Sequence, residues 1–201
     1  MEILTTNKLS GENLNLWSLF KKGDKDAFLK IYHSNYEILY SYGFKISGNS
    51  DLTRDVIQEI FADLWEKKST VADVVHIKAY LLKYLRRALL TKITAEKKSQ
   101  GLNTNEENLF EVSISPEDLL IKNQISKEQE RKILDALAQL SPRQREIIYL
   151  KFFDELDYQA IQDITSLNYQ SLRNTLHKAL QSLRKILAIQ IIFFLLIINR
   201  L

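Results

Sequence analysis

Two short helical patterns meet at a sharp break between Tyr158 and Arg184, and this feature constrains the fold more than any other. In the first pattern, Tyr158, Ile161 and Ile164 recur three residues apart, so they lie on one face of a helix that needs a packing partner. After the break at Ser166, a second apolar stripe consists of Leu172, Leu176, Ala179, Leu180 and Leu183. Two amphipathic helices joined by a tight turn are typical of a helix-turn-helix motif.

The other faces of the second helix carry basic and amide side chains and no acid. Such a surface suits a groove lined with phosphates and base edges, and the start of this helix is the end that reaches the bases in a helix-turn-helix. The candidate DNA contacts are Tyr169, Gln170, Ser171, Arg173, Asn174, His177 and Lys178. An ordinary helical hairpin with a solvated basic face is the alternative that this segment alone leaves open.

The composition favours an all-α fold. Prolines occur only at Pro116 and Pro142, which permits long helices, and no segment shows the β-branched alternation or Asn-Gly turns that indicate sheet. The chain has no cysteine, which excludes disulfides, thiolate catalysis and cysteine-based zinc sites and fits a reducing cytoplasm. The N-terminus has no basic start followed by an apolar run, so no secretory signal is expected.

Charge is distributed unevenly, although the net charge is only +3. Bases dominate residues 76–98, acids dominate residues 103–130, and residues 167–187 carry bases without any acid. A polyanion would therefore be attracted to both ends and repelled by the middle. This layout favours two DNA-binding units on a tether.

The hydrophobic periodicity predicts four helices in the first half of the chain, over residues 14–22, 24–42, 51–67 and 75–98. Asp24 is expected to cap the second of these helices, and Asp51 or Thr53 the third. Gly23 and Gly43 are expected to mark helix ends, because glycine often terminates helices.

Residues 99–115 are polar and poor in large apolar side chains, which indicates a linker. Beyond it, helices are predicted over residues 125–140 and 143–153, the latter with Ser141 as N-cap and Pro142 at its first position. The chain is therefore expected to form two small helical domains. The predicted boundaries are 14–98 for the first domain, 99–124 for an acidic polar linker, 125–186 for the helix-turn-helix domain and 187–201 for an apolar tail.

The third predicted helix presents an apolar face and an acidic, amide-bearing surface. Within it, Asp55, Gln58, Phe61 and Trp65 fit the pattern Asp-x-x-Gln-x-x-Phe-x-x-x-Trp without gaps. This segment resembles the core-polymerase-binding helix of the sigma-70 family, in its extracytoplasmic-function or group IV members. The C-terminal half is similar to the same family at Leu140-Ser141-Pro142-Arg143-Gln144-Arg145, Tyr158, Ile161 and Leu176-His177-Lys178-Ala179.

The resemblance implies an alternative sigma factor that binds core RNA polymerase and directs promoter recognition and transcription initiation. It implies a region 2-like domain for core polymerase and the −10 element, and a region 4-like domain for the −35 element. The implied polymerase contacts are Asp55, Gln58, Glu59, Phe61 and Trp65. The implied contacts to the −10 element are Tyr80, Lys83, Tyr84, Arg86 and Arg87, where aromatic rings stack on unpaired bases. Packing in the core is the alternative for Tyr80 and Tyr84.

The family also implies the partners: core RNA polymerase, promoter DNA and an anti-sigma factor, which is membrane-bound in many members. No catalytic residue, cofactor, metal or small-molecule substrate is expected, because no phosphate-binding loop or nucleophile motif is present and the three histidines lie far apart in sequence. A cytoplasmic location is expected. A stand-alone helix-turn-helix regulator and a protein-binding helical adaptor are the alternatives.

The chain departs from the family pattern at several positions. Gln162 replaces a small alanine in the first helix of the motif, Ser166 replaces a glycine in the turn, and Arg87 replaces an asparagine that helps to melt the −10 element. Residues 186–198 are almost wholly apolar but too short for an ordinary membrane-spanning helix, which needs about 17 to 25 residues. This apolar tail is expected to cover a partner surface: the groove between the domains, an anti-sigma factor, a second copy or a membrane.

Overall fold

The computed structural model describes residues 14–101 and 127–187, and every regular element within these two ranges is helical. The all-α prediction is therefore confirmed. The chain divides into two compact units, Met1–Thr104 and Asn105–Leu201, and each has its own buried apolar core. The domain boundaries remain predictions. Most of the predicted linker 99–124 and nearly all of the tail 187–201 lie outside the described residues.

The first unit is a bundle in which α2 packs against both α3 and α4, and α3 packs against α4. Its helices are α1 (residues 14–21), α2 (Lys25–Ser47), α3 (Ser50–Glu66) and α4 (Ile77–Ser99). The side chain of Trp17 is buried and donates from Nε1 to the carbonyl of Ala72, 3.0 Å away. Lys21 pairs with Asp73 at 2.5 Å, so two bonds fasten α1 to the loop between α3 and α4.

Asp24 caps α2 as predicted, since its carboxylate accepts from the N–H of Ala27 at 2.9 Å. The prediction that α2 ends near Gly43 is wrong, because the helix continues to Ser47 and closes at Gly48, which has a φ of 62°. Gly43 is buried inside the helix, where a Cβ would lie 2.8 Å from Cγ2 of Thr53. Glycine at this position allows close helix packing and does not terminate the helix.

The predicted caps of α3 are also wrong. Asn49 holds the N-cap position, and its side chain accepts from the N–H groups of Asp51 and Leu52, each at 3.0 Å. Thr53 is fully buried and its hydroxyl donates to the carbonyl of Asn49 at 2.7 Å. Asn49 takes the cap because its extended backbone follows the left-handed Gly48 directly.

The second unit is organised around its last helix, which packs against three others. Its elements are α5 (Lys127–Ala138), α6 (Pro142–Ile148), a π-helical turn (Tyr149–Phe153), α7 (Tyr158–Thr165) and α8 (Tyr169–Leu187). Ser141 caps α6 as predicted, in a reciprocal capping box with Gln144.

The prediction of one continuous helix over residues 143–153 is wrong in its second half. There the backbone widens to a π turn, in which the N–H of Asp154 donates to the carbonyl of Tyr149, five residues earlier, at 3.1 Å. The rings of Tyr149 and Phe153 lie nearly parallel, with centroids 5.5 Å apart.

Candidate nucleic-acid interface

The helix-turn-helix predicted from the apolar periodicity is present in the second unit. Asp157 caps α7 by accepting from the N–H of Ala160 at 2.7 Å. Ile161 and Ile164 are buried on α7, and Tyr158 is half-buried. They pack on a helix in which four of the five predicted stripe residues are buried, namely Leu172, Leu176, Ala179 and Leu183, whereas Leu180 is half-buried.

The turn between α7 and α8 depends on two polar residues. Ser166 closes α7 in the left-handed conformation, with a φ of 58°, which glycine adopts at lower cost. The side chain of Asn168 accepts from the N–H of Ser171 at 2.8 Å and thereby caps α8. Sequence reasoning missed this cap, although an asparagine just before the first helical residue is a recognisable start signal.

An ion pair between the half-buried Arg143 and the buried Glu146 fixes the end of α7 against α6. The guanidinium of Arg143 donates from Nη1 to the carboxylate of Glu146 at 2.9 Å and from Nη2 to the carbonyl of Thr165 at 2.8 Å. Glu146 is fully buried. Arg143 therefore supplies a partner both to a buried charge and to a carbonyl at the end of α7, where helices leave carbonyls unpaired. We call these three residues the turn clamp.

The outer surface of α8 carries the predicted DNA contacts. Ser171 is half-buried, and Tyr169 is 50% exposed. The other predicted contacts are exposed: Gln170, Arg173, Asn174, His177 and Lys178. Because these basic and amide side chains are exposed on one helix, they are available to a partner.

Tyr158 lies on the neighbouring helix α7. Burial, and to a smaller extent the neighbouring Tyr169, raises the pKa of Tyr158, so its phenol is neutral at physiological pH.

The α3 motif divides between surface and core. Asp55, Gln58 and Glu59 are exposed, and Glu59 accepts from Nζ of Lys92 on α4 at 2.6 Å. Phe61 is only 4% exposed, and its ring centroid lies 4.8 Å from that of Tyr32. The buried ring supports the helix from beneath and lies away from the surface.

Trp65, the other aromatic residue of the motif, is half-buried. Its ring centroid lies 5.0 Å from that of Phe28 on α2. Nζ of Lys68 lies 4.6 Å from the same ring and donates to the carbonyl of Trp65 at 3.0 Å. Trp65 therefore contributes mainly to the packing of α3 on α2.

The α4 residues expected at the −10 element also divide into an exposed set and a half-buried set. Lys83 and Arg87 are exposed, whereas Tyr80, Tyr84 and Arg86 are half-buried. The ring of Tyr80 packs edge-on against Trp17, with centroids 5.4 Å apart. This contact favours the packing alternative for Tyr80.

The hydroxyl of Tyr84 donates to the carboxylate of Asp63 on α3, 2.6 Å away. Asp63 also pairs with Lys67. Hydrogen bonds from Lys67 and Tyr84 lower the pKa of Asp63. Burial, followed by the bond to Asp63, raises the pKa of Tyr84 to about 12, so the phenol keeps its proton and joins the two helices.

Within residues 14–101 and 127–187, no cluster of three or more histidine or acidic side chains could hold a metal ion. In the same two ranges, each helix is too short or too polar to cross a membrane.

Comparison with known proteins identifies the chain's relatives. Residues 130–183 match the family model for sigma-70, region 4. The chain is 24% identical over 174 residues to the ECF RNA polymerase sigma factor SigW of Bacillus subtilis, covering 82% of this chain and 91% of that protein. It is 21% identical over 168 residues to SigK of Mycolicibacterium vanbaalenii, covering 83% and 84%. The region 4 match and the similarity to these curated sigma factors support an extracytoplasmic-function factor of the sigma-70 family.

A solved structure shares the fold of this chain. The chain aligns with the sigma factor RpoE of Bartonella quintana, crystallised with the anti-sigma factor NepR, at a TM-score of 0.55 and 20% identity. The alignment covers 84% of this chain and 99% of that one. At this level of identity the likeness shows a shared helical fold.

Proposed function

We propose that this alternative sigma factor, which directs transcription initiation, binds core RNA polymerase through the outward face of α3. The observation that carries the proposal is the division of the α3 motif: Asp55 and Gln58 are exposed while Phe61 is buried beneath them. A helix supported from below by aromatic rings presents its polar groups in fixed positions, so a partner loses little entropy in ordering them.

The basic face of α4 engages the −10 element. Lys83 and Arg87 are exposed one helical turn apart, where they can hold the phosphates of an opened strand. The half-buried ring of Tyr84 lies beside them on the same helix, whereas Tyr80 packs against Trp17. Stacking of an unpaired base on an aromatic ring contributes about 1–3 kcal/mol and offsets part of the cost of opening the duplex.

The exposed face of α8 reads the −35 element in the major groove. Its first residues lie at the end of the helix that reaches base edges, and Lys178 lies further along, nearer to the phosphate backbone. The chemistry of RNA synthesis belongs to the polymerase, and the sigma factor supplies promoter recognition in the cytoplasm without a catalytic site of its own. An anti-sigma factor regulates it, by analogy with the partner in the RpoE complex.

Co-purification with core RNA polymerase tests the proposal. Asp55→Ala and Gln58→Ala should each weaken the association, since both side chains are exposed and their removal leaves the core of the bundle intact. Glu37→Ala removes an exposed acid from α2 and serves as the matched control, which should bind as the wild type does. Absence of any association by the folded wild-type protein would overturn the proposal.

A stand-alone helix-turn-helix regulator is the second candidate, favoured by the exposed basic face of α8 alone. Such a protein binds duplex DNA by itself, usually as a dimer on a palindrome. Sequence-specific binding to duplex DNA without polymerase, unaffected by Asp55→Ala, would support this alternative.

A further inference from the structure

Two aromatic rings in contact, with a cation at each end, form a line in the second unit. Nζ of Lys151, in the π turn, lies 4.8 Å from the ring centroid of Tyr158 on α7. The ring of Tyr158 meets that of Tyr169 edge to face, at 5.8 Å and 62°. The guanidinium carbon of Arg173 lies 5.7 Å from the ring centroid of Tyr169. We call these four residues the cation–aromatic column.

The column is fixed at one end and accessible at the other. Nζ of Lys151 also donates to the carbonyl of Leu156 at 3.3 Å, and both Lys151 and Tyr158 are half-buried. Tyr169 is 50% exposed and Arg173 is exposed on the outer surface of α8. Cations within about 6 Å of a ring centroid are attracted to the face of the ring, and edge-to-face ring pairs are favourable.

A guanidinium attracted to an aromatic ring has a restricted position. An arginine side chain carries about 2 kcal/mol of rotamer entropy, part of which is already lost when the group is held near a ring. Arg173 is exposed, so its N–H donors remain accessible to a partner. Two parallel N–H donors match the O6 and N7 acceptors of guanine in the major groove.

We infer that Tyr169 is a positioning residue that holds Arg173 for bidentate recognition of one guanine in the promoter. The inference rests on the proposed function, because it needs α8 in the major groove. Arg173 lies one turn from the start of α8, at the end of the helix that approaches base edges. Lys178 lies further along the helix and is a single point charge, which suits a phosphate better than a base.

Selection from a randomised promoter library by the holoenzyme tests the inference. The wild type should enrich guanine at one upstream position. Arg173→Lys should reduce that preference about ten-fold or more and leave the other positions unchanged. Tyr169→Ala should reduce the preference at the same position a few-fold, whereas Tyr169→Phe, which retains the ring, should preserve it. The double variant Tyr169→Ala with Arg173→Lys should be no worse than Arg173→Lys alone.

Lys178→Ala is the control for a phosphate contact. This variant should bind all sequences more weakly by the same factor. Its affinity should also fall less steeply with salt, with a slope of log affinity against log salt concentration that is shallower by about one. If the enriched promoters show no guanine that depends on Arg173, the inference is overturned and the proposed function is not. An unchanged guanine preference in a folded Tyr169→Ala variant would have the same meaning. A wild-type holoenzyme that enriches no upstream sequence would overturn the proposed function as well.

Discussion

Gly43 lies where three helices of the first unit meet. A Cβ at this position would lie 2.8 Å from Cγ2 of Thr53 and 3.1 Å from Cδ2 of Leu85, and both distances are shorter than ordinary van der Waals contact. Alanine is favoured over glycine in a helix by about 1 kcal/mol, whereas overpacking a core costs about 1–3 kcal/mol. The steric cost should therefore exceed the gain in helix propensity.

We expect Gly43→Ala to lower the free energy of unfolding of the first unit by about 1 kcal/mol. Urea unfolding followed by tryptophan fluorescence measures this free energy, since both tryptophans, Trp17 and Trp65, belong to this unit. Ser34→Ala, at an exposed position of the same helix, is the control and should be neutral or slightly stabilising. A stabilised Gly43→Ala variant would show that α2 can move away without cost.

The bond between Tyr84 and Asp63 predicts a pH dependence. The pKa of Tyr84 is about 12 in the folded protein and about 10 in an unfolded chain, so the unfolded chain loses the phenolic proton first as the pH rises. The contribution of Tyr84 to stability is therefore complete below pH 10 and lost progressively between about pH 10 and 12.

We expect Tyr84→Phe to lower the free energy of unfolding by about 1 kcal/mol at pH 8, because it removes a hydrogen bond to a carboxylate. Between about pH 10 and 12 the variant should lose less stability than the wild type. Urea unfolding at a series of pH values measures both effects. Parallel pH profiles for the two proteins would contradict the assignment.

The helix-turn-helix depends on a contact made by an element outside it. The turn clamp places Arg143 of α6 on the buried carboxylate of Glu146 and on the last carbonyl of α7. Arg143 is partly exposed and Glu146 is fully buried, so removing Arg143 takes one hydrogen-bonded cation away from a buried carboxylate. The loss of one partner of a buried polar group costs about 1–3 kcal/mol, whereas removing both partners costs less.

We therefore expect Arg143→Ala to destabilise the second unit by about 1–3 kcal/mol. Hydrogen exchange across residues 142–187 should accelerate, most of all at the end of α7. The double variant with Glu146→Ala should recover part of the loss, and Arg131→Ala, at an exposed site on α5, should change little. Equal destabilisation by the single and double variants would argue against the clamp.

Periodicity predicted the helices better than it predicted their junctions. Most residues of the apolar stripes predicted for α7 and α8 are buried, while Tyr158 and Leu180 are half-buried. Phe61 lay on the predicted apolar face of α3, which explains its burial. The end of α2 could not be predicted, because the effect of Gly43 depends on helices that follow later in the chain. The bond between Tyr84 and Asp63 joins residues 21 positions apart on different helices, so no local pattern contains it.

At the scale of the whole molecule, the two units divide the proposed tasks. Polymerase docking and strand opening belong to the first unit, and α3 and α4 are joined there by Glu59 with Lys92 and by Asp63 with Tyr84. The proposed recognition of the upstream −35 element belongs to the second unit. The sequence indicated this division through its two basic regions, whereas the exposed and buried members of each motif became clear only from the structure.

We expect the double variant Lys83→Ala with Arg87→Ala to open promoter DNA several-fold less than the wild type, because two phosphate contacts are removed. Its co-purification with polymerase should be unchanged, since both side chains lie on α4. Permanganate reactivity of thymines in a holoenzyme complex with a selected promoter measures the opening. Normal opening by this variant would place the −10 contacts elsewhere.

The π turn at Tyr149–Phe153 has a consequence for comparing relatives by sequence. A π turn accommodates one residue more than the α-helical turn that it replaces. A homologue that lacks one residue between Pro142 and Asp154 could therefore continue as a regular α-helix and still enter α7 in the same way. A single-residue gap at this point of an alignment would record a change of helix type and leave the fold unaltered.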